Sequence, residues 1–287
     1  MKPLKIPNDL TYVGVFLTFK CRYKCSYCIN RHGKLKPRKE LTPEQWIEGL
    51  NRLRIPRELM VPITLQGGEP SAYRGWLNVI QGLNDNLYVD LLTNMDFDVK
   101  RFMEKVSPDR LQRNVPYASI RGSYHPEFSD KDELFEKTLM LQEEDYSIGL
   151  FAVDHPDGNI RKVQAEAKAL GIDFRLKEFL GWHKGALWGE YRHPLDFKAK
   201  ESKIVQCKTT ELLIAPDGFI HKCHADLYAG RCSVGHILEE DYNIEFMFRE
   251  CDHRHIKGQL CNCNPCDLKI KNDRFQRYGS CAVEIRE

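Results

Sequence analysis

The sequence predicts an α/β fold: a partial (β/α)6 TIM-like barrel, followed by a small C-terminal domain with a β-hairpin and helix. Three observations support this prediction. Six apolar, β-branched runs recur along the first two thirds of the chain, helical patterns separate several of them, and the cysteines fall into two groups with none between. The length of 287 residues suits one large α/β domain with a small appendage.

The predicted strands are the six apolar runs, which cover residues 11–19, 61–66, 87–94, 115–122, 146–154 and 174–180. Helical patterns cover residues 42–53, 130–144 and 159–171. Thr42 and Pro43 are typical of a helix start, as N-cap and first helical residue. Alternating strands and helices predict a parallel sheet with outer helices. Eight repeats would close a barrel, so six predict an open one, with its active site at the carboxyl ends of the strands.

The charge balance excludes several classes of partner. Lys and Arg total 43 and Asp and Glu 41, so the formal net charge is +2. This balance gives no electrostatic basis for binding nucleic acid or an anionic membrane. Residues 1–10 hold no long apolar run, and no stretch approaches about 18 consecutive apolar residues, so we expect neither a signal peptide nor a membrane span. The sequence predicts a soluble, cytoplasmic protein without nucleic-acid or membrane partners.

The 11 cysteines are unevenly placed. Three lie within residues 21–28, and the other eight lie between Cys207 and Cys281. Because disulfides are rare in the cytoplasm, clustered cysteines there more often bind metal or do redox chemistry. We therefore expect two metal regions, one in a barrel domain at residues 1–190 and one in a C-terminal domain at residues 191–287.

Residues 211–228 predict the β-hairpin of the C-terminal domain. Two alternating runs flank Pro216, Asp217 and Gly218, which favour a tight turn. The rest of this region is charged and poor in apolar residues, so a metal is expected to stabilise it. Before it, residues 181–194 are rich in Trp and His. They could line a substrate cleft, although packing between domains is the commoner role of such aromatic residues.

The first cysteine group has the spacing C-x3-C-x2-C, with Cys21, Cys25 and Cys28 directly after the first predicted strand. A structural zinc site uses four ligands, whereas three thiolates in one loop leave one position of a metal or cubane cluster open. Thiolates at this spacing favour an iron–sulfur cluster whose fourth iron can bind a substrate or cofactor. The alternatives are zinc completed by His32 and three cysteines without a metal.

This loop resembles the signature of radical S-adenosylmethionine (SAM) enzymes, C-x3-C-x-aromatic-C, with Tyr27 at the aromatic position. The second strand is followed by Gly67-Gly68-Glu69-Pro70, which resembles the GGEP motif of that family. The resemblance implies a [4Fe–4S] cluster whose open iron site binds SAM and, once reduced, cleaves it to methionine and a 5′-deoxyadenosyl radical. The adjacent glycines would let backbone groups approach the methionine part closely, and Glu69 or the backbone around it would accept from the ammonium group.

Further SAM contacts are implied by the same resemblance. Thr93-Asn94 resembles the pair that often ends the third strand, and Ser119-Ile120-Arg121 resembles the polar pattern that ends the fourth. Alternation puts Ser119 and Arg121 on one strand face, and the arginine could pair with the SAM carboxylate. Solvated polar residues at a strand end are the alternative. The implied cofactor-binding residues are Tyr27, Gly67, Gly68, Glu69, Pro70, Thr93, Asn94, Ser119 and Arg121.

The second cysteine group resembles the start of the SPASM and twitch extensions found in some radical SAM enzymes. Cys207, Gly218 and Cys223 fit C-x10-G-x4-C, and Cys263 and Cys266 supply a later C-x2-C. The resemblance implies that these four cysteines hold an auxiliary [4Fe–4S] cluster. With four protein ligands, such a cluster would transfer electrons and would not bind substrate.

The match departs from a full SPASM domain at one point. Asn272 stands where the next cysteine would be expected, so the resemblance is to the shorter twitch domain with one auxiliary cluster. Cys261 competes with Cys263 for a ligand role, since C-N-C-N-P-C offers both. A zinc site with four cysteines is the alternative for this region. The cysteines expected to take no part are Cys232, Cys251 and Cys281.

The plan of barrel plus twitch domain resembles the radical SAM dehydrogenases that oxidise a secondary alcohol of a sugar-like cyclitol to a ketone. The resemblance implies hydrogen abstraction from a small-molecule substrate, loss of its hydroxyl proton to a base, and transfer of the second electron to the auxiliary cluster. A flavodoxin- or ferredoxin-type donor would supply the first electron. The candidate catalytic residues by location are Arg121, His125 and Arg175, and the sequence fixes none of them as the base.

Other functions stay open. SPASM-type enzymes also cross-link or epimerise ribosomal peptides, but many carry an N-terminal leader-binding domain, and here the first predicted strand starts by residue 11. A metal-binding protein without catalysis is the third possibility, which the intact cysteine and GGEP motifs oppose. The molybdenum-cofactor GTP cyclases share the barrel plan. That function is not expected, since the segment SCAVEIRE lacks their glycine-rich tail and the second cysteine pattern differs.

Overall fold

The structure is a computed structural model, and it describes residues 1–28, 39–179, 181–188, 205–251 and 283–286. In chain order the strands are β1 (Leu4–Lys5), β2 (Tyr12–Thr18), β3 (Leu53–Arg54), β4 (Ile63–Gly67), β5 (Val89–Thr93), β6 (Ile120–Ser123), β7 (Ile148–Asp154), β8 (Phe174–Glu178), β9 (Gly181–His183), β10 (Ala186–Trp188), β11 (Val205–Thr209), β12 (Glu211–Ile214), β13 (Phe219–His221), β14 (Ser233–His236), β15 (Arg249–Cys251) and β16 (Val283–Arg286). The α-helices are α1 (Pro43–Leu50), α2 (Trp76–Gly82), α3 (Val99–Lys105), α4 (Lys131–Glu143), α5 (Ile160–Ala169) and α6 (His224–Ala229).

The main sheet has nine strands in the order β14-β13-β12-β2-β4-β5-β6-β7-β8. Six of them, β2 and β4 to β8, run parallel and pair in chain order. Helices α1 to α5 lie between these strands along the chain, as the crossover connections of a parallel sheet require. Within the described residues the sheet stays open, with β14 and β8 as its edges. The predicted α/β class with six parallel strand units is confirmed.

All six predicted barrel strands are present, and β6 shows the largest shift of a boundary. It begins at Ile120 and not at residue 115, because Pro116 lacks the N–H that a strand ladder needs. The three predicted helices are present as α1, α4 and α5. Helices α2 and α3 have 7 residues each, too few for a clear helical period in the sequence.

Side-chain caps fix the starts of two helices that follow the loops after β2 and β6. At α1, the Thr42 hydroxyl accepts from the Gln45 N–H and the Gln45 side chain accepts from the Thr42 N–H, which is a capping box. At α4, the Asp130 carboxylate accepts from the N–H groups of Asp132 and Glu133. Helix α4 therefore begins at a defined point directly after the loop that follows β6.

The two faces of the main sheet differ in character. One face packs against the helices through an apolar core that includes Trp46. On the opposite face, alternation puts Thr64 on β4 and Asp90 on β5 side by side. The fully buried Asp90 carboxylate accepts from Arg113 at 2.9 and 2.6 Å and from Arg121 at 2.8 Å. These three side chains thus form a buried ion cluster inside the barrel. The cluster lies below the carboxyl ends of the strands, toward their amino ends.

The hairpin predicted over residues 211–228 is present in its first part as β12 and β13, and it belongs to the main sheet. Its last part was predicted wrongly, because the chain enters α6 at His224 and does not continue the second strand. The free edge of β12 pairs in parallel with β2, with Glu211 opposite Tyr12. Gly218 in the turn has a φ of +83°, a conformation that glycine adopts without steric cost. The predicted domain boundary at residue 190 lies outside the described residues and stays a prediction.

Three small sheets complete the described elements. Strands β1 and β3 form a parallel pair. Strands β9 and β10 form an antiparallel pair within the segment rich in Trp and His. Strand β11 pairs antiparallel with both β15 and β16. No helix in the described part of the chain is long and apolar enough to cross a membrane.

Candidate functional site

The cysteine loop starts directly after β2, at the carboxyl edge of the main sheet. Cys21, Cys25 and Cys28 are partly exposed and carry free thiols. Burial raises the pKa of Cys21 to about 11 and that of Cys25 to about 12, and the charges of neighbouring thiolates add to both rises. All three thiols belong to one stretch of eight residues, Cys21 to Cys28.

The donor set determines which metal group the loop fits. Among the residues that the structure describes, no three His, Cys, Asp or Glu side chains are arranged to hold a single metal ion. Three thiols in one loop are the donor set of a [4Fe–4S] cluster with one open iron, which Cys21, Cys25 and Cys28 would hold. His32, the fourth ligand of the zinc alternative, lies outside the described residues.

The loop after β4 packs against the segment that leads into the cysteine loop. The N–H of Gly68 donates to the Thr18 carbonyl at 2.9 Å, and the N–H of Glu69 donates to the Lys20 carbonyl at 2.8 Å. A Cβ at Gly67 would lie 2.2 Å from the Thr18 oxygen, and one at Gly68 would lie 2.2 Å from the Lys20 oxygen. Two backbones approach so closely here that only glycine fits at both positions. Contact of the same glycines with SAM stays a prediction.

Glu69 ties this loop to the end of β5. Its buried carboxylate accepts from the Ser71 N–H at 3.0 Å, the Ser71 hydroxyl at 2.8 Å, the Thr93 hydroxyl at 2.7 Å and the Asn94 N–H at 2.7 Å. Burial raises the pKa of Glu69, and the hydrogen bonds oppose that rise. Four protein donors thus occupy the carboxylate that the sequence suggested for the SAM ammonium group. The loop's last member, Pro70, is buried and begins a short 3-10 turn.

The end of β5 also contacts the first half of the cysteine loop. The Asn94 Nδ2 atom lies 3.8 Å from Cys21 Sγ. Two residues further on, the Asp96 carboxylate accepts both a Nε–H and a Nη2–H bond from Arg22. Arg22 is largely exposed, so solvent weakens this ion pair, but its two-point geometry still orients the loop.

The loop after β6 contacts the second half of the cysteine loop. The Tyr27 hydroxyl lies 3.1 Å from His125 Nδ1, and the two rings stack with centroids 6.0 Å apart. Ser26 donates its hydroxyl to the Glu127 carboxylate at 2.6 Å and its N–H at 3.2 Å. Burial lowers the pKa of His125 to about 4, so its ring is neutral near pH 7.

His155 was not among the predicted site residues, although its ring lies beside Tyr27 with centroids 5.8 Å apart. It also contacts the rings of Phe179 at 4.8 Å and His183 at 4.9 Å. His183 Nε2 lies 2.9 Å from the Asp157 carboxylate. His155 directly follows β7, so the rule that barrel active sites lie at strand ends could have identified it.

Three predicted residues do not contact the cysteine loop through any hydrogen bond or ion pair within the described residues. Arg121 donates from Nη2 to Asp90, and its buried Nε has no hydrogen-bond partner among the described residues. The Ser119 hydroxyl is likewise buried and unpaired within that part of the chain. Arg175 donates to the Pro116 carbonyl at 3.3 Å, near the amino end of β6. The structure therefore does not bring Arg175 to the cysteine loop, and the SAM contacts of Ser119 and Arg121 stay predictions.

The C-terminal cysteines are described only in part. Cys223 is buried at the start of α6, and its Sγ lies 3.4 Å from the Asp226 carboxylate. Cys207 lies on β11, Cys251 lies on β15, and Cys232 is exposed. The auxiliary cluster stays a prediction, since four cysteines lie outside the described residues: Cys261, Cys263, Cys266 and Cys281.

Helix α6 links the surroundings of Cys223 to those of the first cysteine loop. The ring of Tyr228 packs edge-on against Phe16 with centroids 5.9 Å apart, and against Phe19 at 6.2 Å. Burial raises the pKa of Tyr228, and the charge of Cys28 contributes to this rise. The two cysteine regions are thus connected through a packed aromatic cluster.

The fold and the site together define a class of protein. It is a partial barrel with three cysteines in one loop at the carboxyl ends of its strands, where they can hold an iron–sulfur cluster. Residues 15–112 match the Radical SAM superfamily. This segment holds Cys21, Cys25, Cys28 and the Gly67–Gly68 pair. This third of the chain therefore matches the domain that defines the radical SAM superfamily.

Among curated proteins, GTP 3′,8-cyclase of Agrobacterium fabrum is 28% identical to this chain over 74 residues. The alignment covers 26% of this chain and 21% of the cyclase. The match thus spans about a fifth of that relative's length.

Two crystal structures of BtrN are similar to this chain in the overall path of the backbone. BtrN in complex with AdoMet and 2-DOIA has a TM-score of 0.38 at 12% identity, covering 83% of this chain and 80% of that one. SeMet BtrN in an open conformation has a TM-score of 0.33 at 11% identity, covering 79% and 75%. Both TM-scores are low, and the similarity supports no inference about function.

Proposed function

We propose that this chain is a radical SAM oxidoreductase that abstracts a hydrogen atom from a small polar, sugar- or cyclitol-like substrate, with an auxiliary [4Fe–4S] cluster accepting the second electron. A cluster at Cys21, Cys25 and Cys28, reduced in the presence of SAM, supplies a 5′-deoxyadenosyl radical. One observation carries this proposal: the cysteine loop, the Gly67–Gly68 loop and the end of β5 meet at one edge of the sheet.

The polar groups at the same edge support a hydroxyl-bearing substrate. His155, His183 and Asp157 gather beside Tyr27, where they can donate to and accept from hydroxyl groups. Oxidation of an alcohol to a ketone removes two hydrogens, which here leave as a hydrogen atom, a proton and an electron. One hydrogen atom goes to the adenosyl radical, one proton goes to a base, and one electron goes to an acceptor.

The chemistry of guanidinium narrows the choice of base. A guanidinium group carries hydrogen-bond donors and no acceptor, so neither Arg121 nor Arg175 can take a proton from the substrate. Both can only donate hydrogen bonds. Two of the histidines at this edge, His125 and His155, remain as candidate proton acceptors.

The electron acceptor in this proposal is the cluster at Cys207, Cys223, Cys263 and Cys266. The contact of Tyr228 on α6 with Phe19, two residues before Cys21, supports a short separation between Cys223 and the first cysteine loop. A flavodoxin- or ferredoxin-type protein would reduce the first cluster. This partner and the cytoplasmic location stay predictions.

SAM cleavage tests the first part of the proposal. Protein reconstituted anaerobically with iron and sulfide should, after reduction by dithionite, convert SAM to 5′-deoxyadenosine and methionine. A Cys21→Ala/Cys25→Ala/Cys28→Ala variant is the control and should form neither. Wild-type protein that holds iron but yields no 5′-deoxyadenosine with any substrate offered would contradict the proposal.

The same triple variant tests the auxiliary cluster. If the C-terminal cysteines hold a cubane, the variant should retain about four irons and four sulfides per chain. Retention of zinc, or of no metal, would contradict the second-electron acceptor and favour a redox-neutral reaction.

A ribosomal-peptide substrate is the alternative function. The two proposals differ in which compounds stimulate formation of 5′-deoxyadenosine. Cyclitols, amino sugars and simple sugars should do so under the oxidoreductase proposal, and precursor peptides under the alternative. GTP belongs in the same panel, as the compound that the name of the curated relative indicates.

A further inference from the structure

We propose that His125 positions the cysteine loop and is not the proton acceptor, an inference that rests on the proposed cluster at that loop. His125 begins a short turn, residues 125–129, between β6 and α4. We call these five residues the clamp turn. The sequence suggested His125 as a catalytic base because of its location, and the contacts around its ring point to another role.

The ring of His125 lies between two tyrosines of the cysteine loop. Tyr23 meets it edge-on, with centroids 5.8 Å apart and an interplanar angle of 89°. Tyr27 stacks on it at 6.0 Å and 27°, and its hydroxyl lies 3.1 Å from His125 Nδ1. These tyrosines stand two residues before and two residues after Cys25. One imidazole therefore contacts both segments of chain that flank this cysteine.

The clamp turn is itself well braced. The His125 carbonyl accepts from the N–H groups of Phe128 at 2.9 Å and Ser129 at 2.7 Å. The His125 N–H donates to the Ser129 hydroxyl at 3.0 Å. The next residue, Asp130, caps α4. The position of His125 is thus fixed by the helix start and by the turn, independently of any bound group.

Two further residues of the clamp turn contact the cysteine loop. The ring of Phe128 stacks on Tyr23, with centroids 5.3 Å apart and an interplanar angle of 18°. The Glu127 carboxylate accepts from the N–H and the hydroxyl of Ser26. These side-chain contacts of the turn fall on residues 23–27, which surround Cys25 and end next to Cys28.

The two halves of the cysteine loop therefore have separate supports. The end of β5 contacts the first half through Asn94 and Asp96, and the clamp turn contacts the second half. A loop that is already held in place loses less conformational freedom when its thiols bind a cluster. Loss of the clamp should loosen Cys25 and Cys28 and leave the support of Cys21 intact.

The chemistry of His125 also argues against a role as base. Its ring faces Tyr23 and Tyr27, and its Nδ1 is bonded to the Tyr27 hydroxyl. With that hydroxyl as the donor, Nδ1 is the accepting nitrogen of the neutral ring and Nε2 carries the ring proton, so neither nitrogen is free to take a substrate proton. A base must reach the proton that it abstracts. His155, on the far side of Tyr27, makes ring contacts there, and its Nδ1 accepts from the backbone N–H of Asp157 at 3.2 Å and not from a tyrosine of the cysteine loop.

Three variants test the assignment: His125→Ala, His125→Phe and Phe128→Ala. Each is reconstituted anaerobically, and we measure iron release to a chelator together with the EPR spectrum of the reduced cluster with and without SAM. His125→Ala should release iron about tenfold faster than wild type, because it loses two aromatic contacts and a hydrogen bond. His125→Phe keeps a ring between the tyrosines and should stay within about twofold of wild type.

A matched control separates the clamp from general effects of removing an aromatic side chain. Phe128 and Phe219 are 41% and 44% exposed, and each packs against one aromatic ring, Tyr23 and His236 respectively. Phe128→Ala should speed iron release several-fold, and Phe219→Ala should not. Far-UV circular dichroism checks that every variant is folded. If His125→Ala does not fold, Phe128→Ala and His125→Phe decide the question.

The outcomes separate this inference from the proposed function. Wild-type protein that takes up no iron would overturn both. Iron-loaded wild type with unchanged iron release and EPR spectrum in His125→Ala would overturn the positioning role alone, and loss of substrate turnover in that variant would then assign His125 as the base. Iron release as fast in His125→Phe as in His125→Ala would also overturn it, since ring packing would then be irrelevant.

Discussion

Replacing Glu69 by glutamine should weaken the junction between the loop after β4 and the end of β5. Three donors point at Oε1 of this carboxylate and one at Oε2, and all four belong to the protein. A glutamine amide offers one oxygen and one NH2 group. If the oxygen takes the place of Oε1, the NH2 group meets the Asn94 N–H, so two buried donors face each other without an acceptor.

The magnitude follows from the burial of the site, since Glu69 is only 3% exposed. A buried donor without a partner costs roughly 1–3 kcal/mol, and the remaining hydrogen bonds lose the strength that a charged acceptor gives them. We expect the free energy of unfolding of the metal-free protein to fall by about 2–3 kcal/mol. Urea titration followed by far-UV circular dichroism measures this value.

The control is Glu143→Gln, an exposed position at the end of α4, which should leave stability unchanged. If Glu69→Gln were as stable as wild type, the assignment of Glu69 as a link between two loops would be refuted. If it were stable but bound SAM more weakly, the carboxylate would instead be the SAM contact that the sequence suggested.

Three further predictions concern the same region. Gly68→Ala should abolish stable iron binding, as measured by metal analysis, because its Cβ would lie 2.2 Å from the Lys20 oxygen. The control is Gly171→Ala, where the backbone φ of +79° strains an alanine but no atom lies within contact distance of its Cβ. This control should lose about 1–2 kcal/mol of stability and keep its iron. Asp90→Ala should lower the free energy of unfolding by about 3–5 kcal/mol in urea titration, since two arginines lose their counter-charge, and a loss within error would contradict the buried ion cluster. Between pH 6.5 and 4, metal-free wild type should lose stability more steeply than His125→Phe. The folded state lowers the pKa of this histidine from 6.5 to about 4, so the unfolded chain binds the proton first as the pH falls, and the free energy of unfolding decreases over this range. Equal pH slopes of this free energy in the two proteins would contradict the prediction.

The parts of the site that the sequence predicted are local in the chain. Three closely spaced cysteines and the Gly67–Gly68 pair each follow a strand with a strong apolar pattern, and carboxyl ends of parallel strands share one edge. The type of the residue and its place after a strand were therefore sufficient. The reason for the glycines was only partly foreseen, because their close approach to the backbone at Lys20 depends on how two loops pack.

The parts that the sequence missed depend on pairs of residues from distant strands. Alternation put Ser119 and Arg121 on one strand face, but nothing in the sequence shows that Asp90 on β5 accepts from the Arg121 guanidinium. His125 was selected by location alone, and its contact with Tyr23 appears only once the two loops are folded. Sequence patterns identify which face a side chain lies on, but they do not identify its partner.

The pairing of β12 with β2 has a consequence for the order of folding. Thr11 and Thr210, next to the paired strands, form a hydrogen bond although they are 199 residues apart. A chain made at the ribosome emerges with its amino end first, so β2 and the cysteine loop appear long before the strand that covers their open side. Until then β2 is an exposed edge, which other chains can pair with. Contacts between residues so far apart in the chain form slowly, so the pairing of β12 with β2, beside the cysteine loop, is among the last parts of the sheet to form.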